Sequence, residues 1–84
     1  MYEVLLESRA RRELRRLPSA TYRRVISVLK GLADNPRPYG CRKIAGSTSD
    51  WRVRVGDYRI VYEIDDAARV VRVMYVRHRR EAYR

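Results

Sequence analysis

The dipeptide Gly56-Asp57 divides a run in which apolar and polar side chains alternate. Glycine supplies the positive φ that a two-residue loop demands, so residues 51–55 must pair with residues 58–64 as antiparallel strands. A loop of that length also sets the register. Val55 faces Tyr58, Arg54 faces Arg59, Val53 faces Ile60 and Trp51 faces Tyr62. One face then carries Trp51, Val53, Val55, Tyr58, Ile60, Tyr62 and Ile64 and needs covering. The other carries Arg52, Arg54, Arg59, Val61 and Glu63. Asp65-Asp66-Ala67-Ala68 reads as a second turn. A last strand, Val70 to Arg77, brings Arg72 onto the polar face beside Val70 and Met74.

The covering elements come from the first half of the chain. Residues 2–7 alternate loosely and read as a strand. Ser8 is a candidate N-cap for a helix over residues 9–17, where Ala10, Leu14 and Leu17 form a narrow apolar stripe among arginines. Pro18 stops that helix and Ser19 can cap the next. Tyr22, Val25, Ile26, Leu29, Leu32 and Ala33 follow helical spacing until Asn35-Pro36. The short connection implies an antiparallel helical hairpin. Residues 36–50 are rich in turn formers and read as a surface loop. The expected fold is α+β: an N-terminal strand, a helical hairpin, then a three-stranded antiparallel meander, with both helices on one sheet face. Residues 1–84 form one domain.

Charge narrows the function. The formal net charge is +10 on 84 residues, with a pI near 10.6. Such a surface attracts polyanions: nucleic acid, a membrane surface or an acidic protein. The membrane is the weakest of these, since no helix sets a large apolar face against a basic one. No apolar run approaches the roughly 18 residues of a membrane span, and no positive segment precedes the first apolar stretch, so the expected location is the cytoplasm. Arg far outnumbers Lys, which suits bidentate phosphate contacts but also follows from GC-rich coding. Cys41 is single, so no internal disulfide forms, and a bland thiol is the simpler reading. No Gly-rich phosphate loop and no metal-spaced His/Cys cluster occurs, so no cofactor is expected. Glu63 is the one carboxylate placed on the basic face, which argues against a two-metal nuclease.

Arg54 opposite Arg59 is the informative pairing. Like charges across a ladder oppose folding by something under ~1 kcal/mol. A single exposed Arg needs no explanation, but Arg52, Arg54 and Arg59 converging on one hairpin face favour an anion site, with phosphate the obvious anion. The tail leaves the last strand beside the same sheet. His78 is a candidate general base or a residue that orients the tail. Tyr83 is catalytic or pins the C-terminus.

The segments RKIAG, WRVRVGDYRIVYEIDD and VRHRREAYR, with the opening SRARRELRRLP and the helix ending in NPRP, resemble the RelE/ParE toxin superfamily over essentially the whole chain. That resemblance implies a compact fold like that of microbial ribonucleases and a toxin of a type II toxin–antitoxin system. In the RelE branch it implies metal-independent, ribosome-dependent cleavage of messenger RNA. There the RNA 2′-hydroxyl attacks the adjacent phosphate to leave a 2′,3′-cyclic phosphate and a free 5′-hydroxyl. The implied site residues are Arg52, Arg54, Arg59, Arg79 and Tyr83, with Lys43, Arg72, Arg77 and His78 as further RNA contacts. Many members carry Lys where this chain has Arg52 and Arg54. Arg cannot be deprotonated in a protein, so neither can be the base, and Tyr83 is the first choice, His78 the second. Arg59 and Arg79 would hold the scissile phosphate, and Arg52 and Arg54 the RNA and the leaving 5′-oxygen. The implied partners are an acidic antitoxin, the ribosome and the message. Two rivals remain. One is a ParE-type inhibitor of DNA gyrase, a branch that usually lacks the terminal Tyr. The other is a basic nucleic-acid-binding module without chemistry.

Overall fold

The structure, a computed structural model, describes residues 1–82. Its elements are β1 (Glu3–Leu6), α1 (Ser8–Arg15), α2 (Ser19–Asp34), β2 (Arg42–Lys43), β3 (Asp50–Val55), β4 (Tyr58–Asp65), β5 (Val70–His78) and a last helical turn α3 (Arg79–Ala82). The strands form one sheet in the order β1-β5-β4-β3-β2. β1 runs parallel to β5, and every other neighbouring pair is antiparallel. The fold is α+β, as the alternation and the helical stripes demand.

The turn at Gly56 has φ +60°, and the β3–β4 register is the one its length dictates, from Val55↔Tyr58 through Arg54↔Arg59 to Trp51↔Tyr62. Val53, Val55, Ile60, Tyr62 and Ile64 all point into the core, where they meet Val71, Val73 and Val76 of β5. Ala10 and Leu14 of α1 and Val25, Leu29 and Leu32 of α2 close it from the helix side. Tyr62 is fully buried and its phenol donates to the Pro36 carbonyl at 2.8 Å. Burial pushes the ionisation of that phenol far above its ordinary range, so it stays a donor.

Several local expectations are corrected. Ser8 and Ser19 are the first residues of their helices, not caps. Glu7 and Pro18 occupy the cap positions, and neither makes a side-chain capping bond. Pro18 already has the extended backbone a cap requires, with φ −56° and ψ 147°, so Ser19 enters the helix. Tyr22 is 42% exposed, whereas Val28 packs against the core. α2 is therefore rotated so that Val25, Val28, Leu29 and Leu32 face the sheet. The two helices pack on the sheet more than on each other, α1 along β5 and α2 across β1 and β3. Residues 36–50 are not wholly loop: β2 pairs Arg42 with Arg52 and Lys43 with Trp51. Two charged residues carry no periodicity that could have announced a strand.

The β4–β5 ladder contains a bulge. Tyr62 faces Val73 but Val61 faces Tyr75, so Met74 is an extra residue on β5. Val70 and Arg72 lie on the polar face as the simple register requires, but beyond Met74 the faces exchange. Tyr75 and Arg77 now join the polar face, and Val76 and His78 the other.

At the opposite end a clasp joins the loop after α2 to the β4–β5 turn. The Arg37 guanidinium holds Asp66 by two bonds of 2.8 and 3.3 Å, the Tyr2 phenol donates to Asp66 at 2.6 Å, and Arg37 stacks 5.1 Å from the Trp51 ring. Arg37 and Tyr2 together lower the Asp66 carboxyl to about 2. Among the described residues no helix is long and apolar enough to cross a membrane.

Candidate functional site

The polar face of the sheet is laid out in three cross-strand rows. The middle row runs Arg42, Arg52, Val61, Tyr75. On one side of it lies Asp50, Glu63, Arg72, Leu5, where the acids outnumber the one Arg. Arg72 donates to Glu63 at 2.7 Å and lies 3.6 Å from Glu7. On the other side, nearest the Gly56 turn, lies Arg54, Arg59, Arg77. Adjacent cross-strand Cβ atoms are ~5 Å apart, so this row concentrates like charge.

α3 completes the site. The Arg79 N–H donates to the Asp57 carbonyl at 2.7 Å, which folds the end of β5 back over the β3–β4 turn. Arg54, Gly56, Asp57, Tyr58, Arg59, Arg79 and Arg80 then line one depression of about 240 Å³. Four guanidinium-bearing residues from β3, β4 and α3 meet there beside the single carboxylate of Asp57. Such a cradle can hold a phosphate and stabilise charge that grows on it. Among the described residues no three His, Cys, Asp or Glu side chains cluster in a way that could hold a metal ion.

The structure thus unites Arg54, Arg59 and Arg79. Arg52 lies one row away, outside the depression but on the same face. Arg77 stands in the cationic row, but its Nε is bound by the Glu13 carboxylate at 3.0 Å and its guanidinium stacks 4.3 Å from the Tyr75 ring. Arg72 is held by Glu63 and Glu7. Lys43 faces Trp51, which places it on the opposite side of the sheet from Arg52. His78 also lies on the opposite face, edge-on to Tyr58 at 5.3 Å, and its Nδ1 accepts the Arg80 N–H at 3.3 Å. That contact shapes the start of α3. Tyr83 lies outside the described residues.

Sequence reasoning overlooked Arg80, Arg42 and Glu13. Arg80 adjoins Arg79, and only the fold-back shows that both face the depression. Arg42 pairs with Arg52 on the polar face, whereas Lys43 was the residue of this segment expected to contact RNA. Glu13 is the interior carboxylate of an arginine-rich helix. Its Oε1 accepts the Val76 N–H at 2.9 Å, at the edge of β5 that β1 leaves uncovered beyond Val73. Its other oxygen restrains Arg77. Nothing in the spacing of one Glu among arginines signals that task.

Comparison with known proteins agrees with this fold. Residues 4–83 match the family described as the ParE toxin of type II toxin-antitoxin system, parDE. Toxin RelG of Mycobacterium tuberculosis is 36% identical, over 99% of this chain and 97% of its own length. Toxin RelE of the same organism is 32% identical, over 99% of this chain and 87% of its own. Among solved structures, the archaeal RelE–RelB complex of Pyrococcus horikoshii contains a chain superposing with a TM-score of 0.83 at 28% identity, covering 93% of this chain and 94% of that one. The isolated E. coli RelE toxin superposes with a TM-score of 0.82 at 25% identity, covering 99% and 96%. The chain belongs to the ParE toxin family of type II toxin–antitoxin systems, within the RelE/ParE superfamily.

Proposed function

We propose that this toxin is an endoribonuclease that cleaves messenger RNA, with an acidic antitoxin holding it silent. The observation that carries the reading is the convergence of Arg54, Arg59, Arg79 and Arg80 in one depression. In the proposed reaction the RNA 2′-hydroxyl loses its proton to a base and its oxygen attacks the neighbouring phosphorus. The bond to the 5′-oxygen breaks, leaving a 2′,3′-cyclic phosphate and a 5′-hydroxyl once that oxygen takes a proton. Arg59 and Arg79 bind the phosphate and the charge that builds on it. Arg54 neutralises the departing oxygen, and Arg52, one row away, holds the strand. Arginine cannot give up its proton, so the base is another group. Tyr83 is assigned that role, since guanidinium groups favour a phenolate over a phenol. His78 is the less suitable choice because it packs against the far face of the hairpin.

The proposed partners are the antitoxin, the ribosome and its message. RelB antitoxins accompany the RelE chains of Pyrococcus horikoshii and E. coli in their solved complexes, which supports the first. The family match to ParE toxins favours a second reading, inhibition of DNA gyrase without RNA chemistry.

Single-turnover cleavage on programmed ribosomes separates them. Tyr83→Phe is expected to slow cleavage by ~10²–10⁴-fold with little change in ribosome binding. Arg79→Ala is also expected to slow it, through weaker charge stabilisation, and His78→Gln only mildly. Intact message together with broken DNA would replace this reading with the gyrase one. Wild-type rates in Tyr83→Phe with a dead His78→Gln would move the base to His78.

A further inference from the structure

A second basic depression adjoins the first. It measures about 440 Å³ and is lined by Arg23, Arg24, Ser27 and Val28 of α2 with Arg54 and Val55 of β3. Arg54 lines both depressions. Val28 packs on the core, which turns this face of α2 toward the sheet. β2 pairs with β3 only at Trp51 and Arg52, so among the described residues no strand covers the edge of Val53–Val55 away from β4 and the space there stays open.

The two depressions also meet at the turn. A Cβ built on Gly56 would lie 3.2 Å from an Arg24 guanidinium nitrogen, so Arg24 reaches over the turn that borders the first site. The exposed Arg24 guanidinium thus stands beside the mouth of that site. Among the described residues no ion pair engages Arg23 or Arg24, and no carboxylate lines the second depression. Arg23 and Arg24 add two cations beside Arg54, a charge density that attracts a polyanion. A bound anion in one pocket needs one cradle. A chain of phosphates needs a track.

We infer that the α2–β3 depression is a second phosphate-binding subsite for single-stranded RNA, continuous through Arg54 with the candidate cleavage site. Arg23 and Arg24 hold a backbone phosphate flanking the scissile one, and the Ser27 hydroxyl is placed to donate beside them. The inference rests on the reading of this toxin as an RNA-binding enzyme. It predicts dependence on RNA length: a dinucleotide fills the first depression alone, and a longer strand engages both.

The test uses single-stranded RNA fully 2′-O-methylated to prevent cleavage, as a dinucleotide and as a dodecanucleotide, with purified full-length toxin. The dodecanucleotide should bind more tightly to wild type. The double variant Arg23→Gln/Arg24→Gln should weaken its binding roughly tenfold or more, as removal of two charge-assisted hydrogen bonds implies, and leave the dinucleotide unchanged. The salt dependence should flatten by about 0.7 in log–log slope for each phosphate that the variant no longer holds. Arg23→Lys/Arg24→Lys should restore most of the affinity. On cleavable RNA, KM should rise with kcat unchanged. Equal affinity for the two lengths, or dodecanucleotide binding untouched by the Gln variant, would overturn the subsite and leave the cleavage reading standing. So would Gln variants that fail to bind only an acidic polypeptide partner. A toxin that cuts no RNA but shows the Arg23/Arg24-dependent length effect would refute the cleavage reading and keep the subsite.

Discussion

Asp66 shows how a single carboxylate ties distant segments together. Its value of about 2 in the fold stands below the ordinary 3.8 because Arg37 and Tyr2 both favour the charged form. A depressed carboxylate stabilises fully above its unfolded value, and the effect is lost as pH falls through the folded one. Asp66→Asn should therefore lower Tm at neutral pH, and the gap to wild type should close between about pH 4 and pH 2. Thermal melts across that range check the sign; a gap that widened on acidification would contradict the clasp. Tyr62 presents the buried counterpart. Tyr62→Phe keeps the ring but leaves the buried Pro36 carbonyl without its donor. The expected loss is about 1–3 kcal/mol in urea unfolding. At this scale the sequence spoke clearly about faces and poorly about partners. Tyr62 was legible as a core residue because alternation fixes faces. Its bond to Pro36, 26 residues away, depends on where the loop after α2 comes to rest.

The elements divide in the same way. The β3–β4 hairpin was readable residue by residue because a two-residue turn admits one register. β5 was readable only as far as Met74. Any apolar residue there would look the same, so the alternation does not announce the bulge that leaves Met74 unpaired. It nevertheless decides which side chains reach the site, since it places Arg77 beside Arg59 and His78 beside Tyr58. Deleting Met74 should leave a regular ladder that keeps Arg77 opposite Arg59 and Val76 opposite Ile60. RNA cleavage is therefore expected to persist, and a cleavage assay on the deletion variant checks it, since an inward turn of Arg77 would abolish activity. Glu13 gives a milder test of the same region. Glu13→Gln keeps an acceptor for the Val76 N–H but removes the charge facing Arg77, a change of about 1 kcal/mol for this half-buried pair. Glu13→Ala removes both and should cost roughly twice that. Equal stability of the two variants would show that only the charge matters. α3 was invisible in the sequence for another reason: a single helical turn has no periodicity, and this one is set by the Asp57 carbonyl.

At the scale of the whole molecule, charge is segregated: the acids of the polar face sit in the row of Glu63 and Arg72, and the cations in excess crowd the end bearing the Gly56 turn. An acidic antitoxin segment covering that end should compete with RNA. Adding the antitoxin is expected to abolish binding of the methylated dodecanucleotide, and raising salt should weaken both complexes steeply. A ternary complex in native gels, with RNA still bound, would place the antitoxin elsewhere. The net charge of +10 was legible from composition, but its concentration at one end was not, because that depends on the fold-back of the tail and the rotation of α2. The sheet order carries one more consequence, which concerns time. β5 is the last strand to be synthesised, yet it lies between β1 and β4, and β1 has no other strand neighbour. Glu3–Leu6 must wait for Val70–Val73 before it can pair. During translation the arginines of the hairpin emerge on a chain whose sheet cannot close, since long-range pairing cannot begin before both strands exist. The cradle that Arg79 completes forms only when the residues after His78 have left the ribosome, so until then the nascent chain carries its hairpin arginines without the site that joins them.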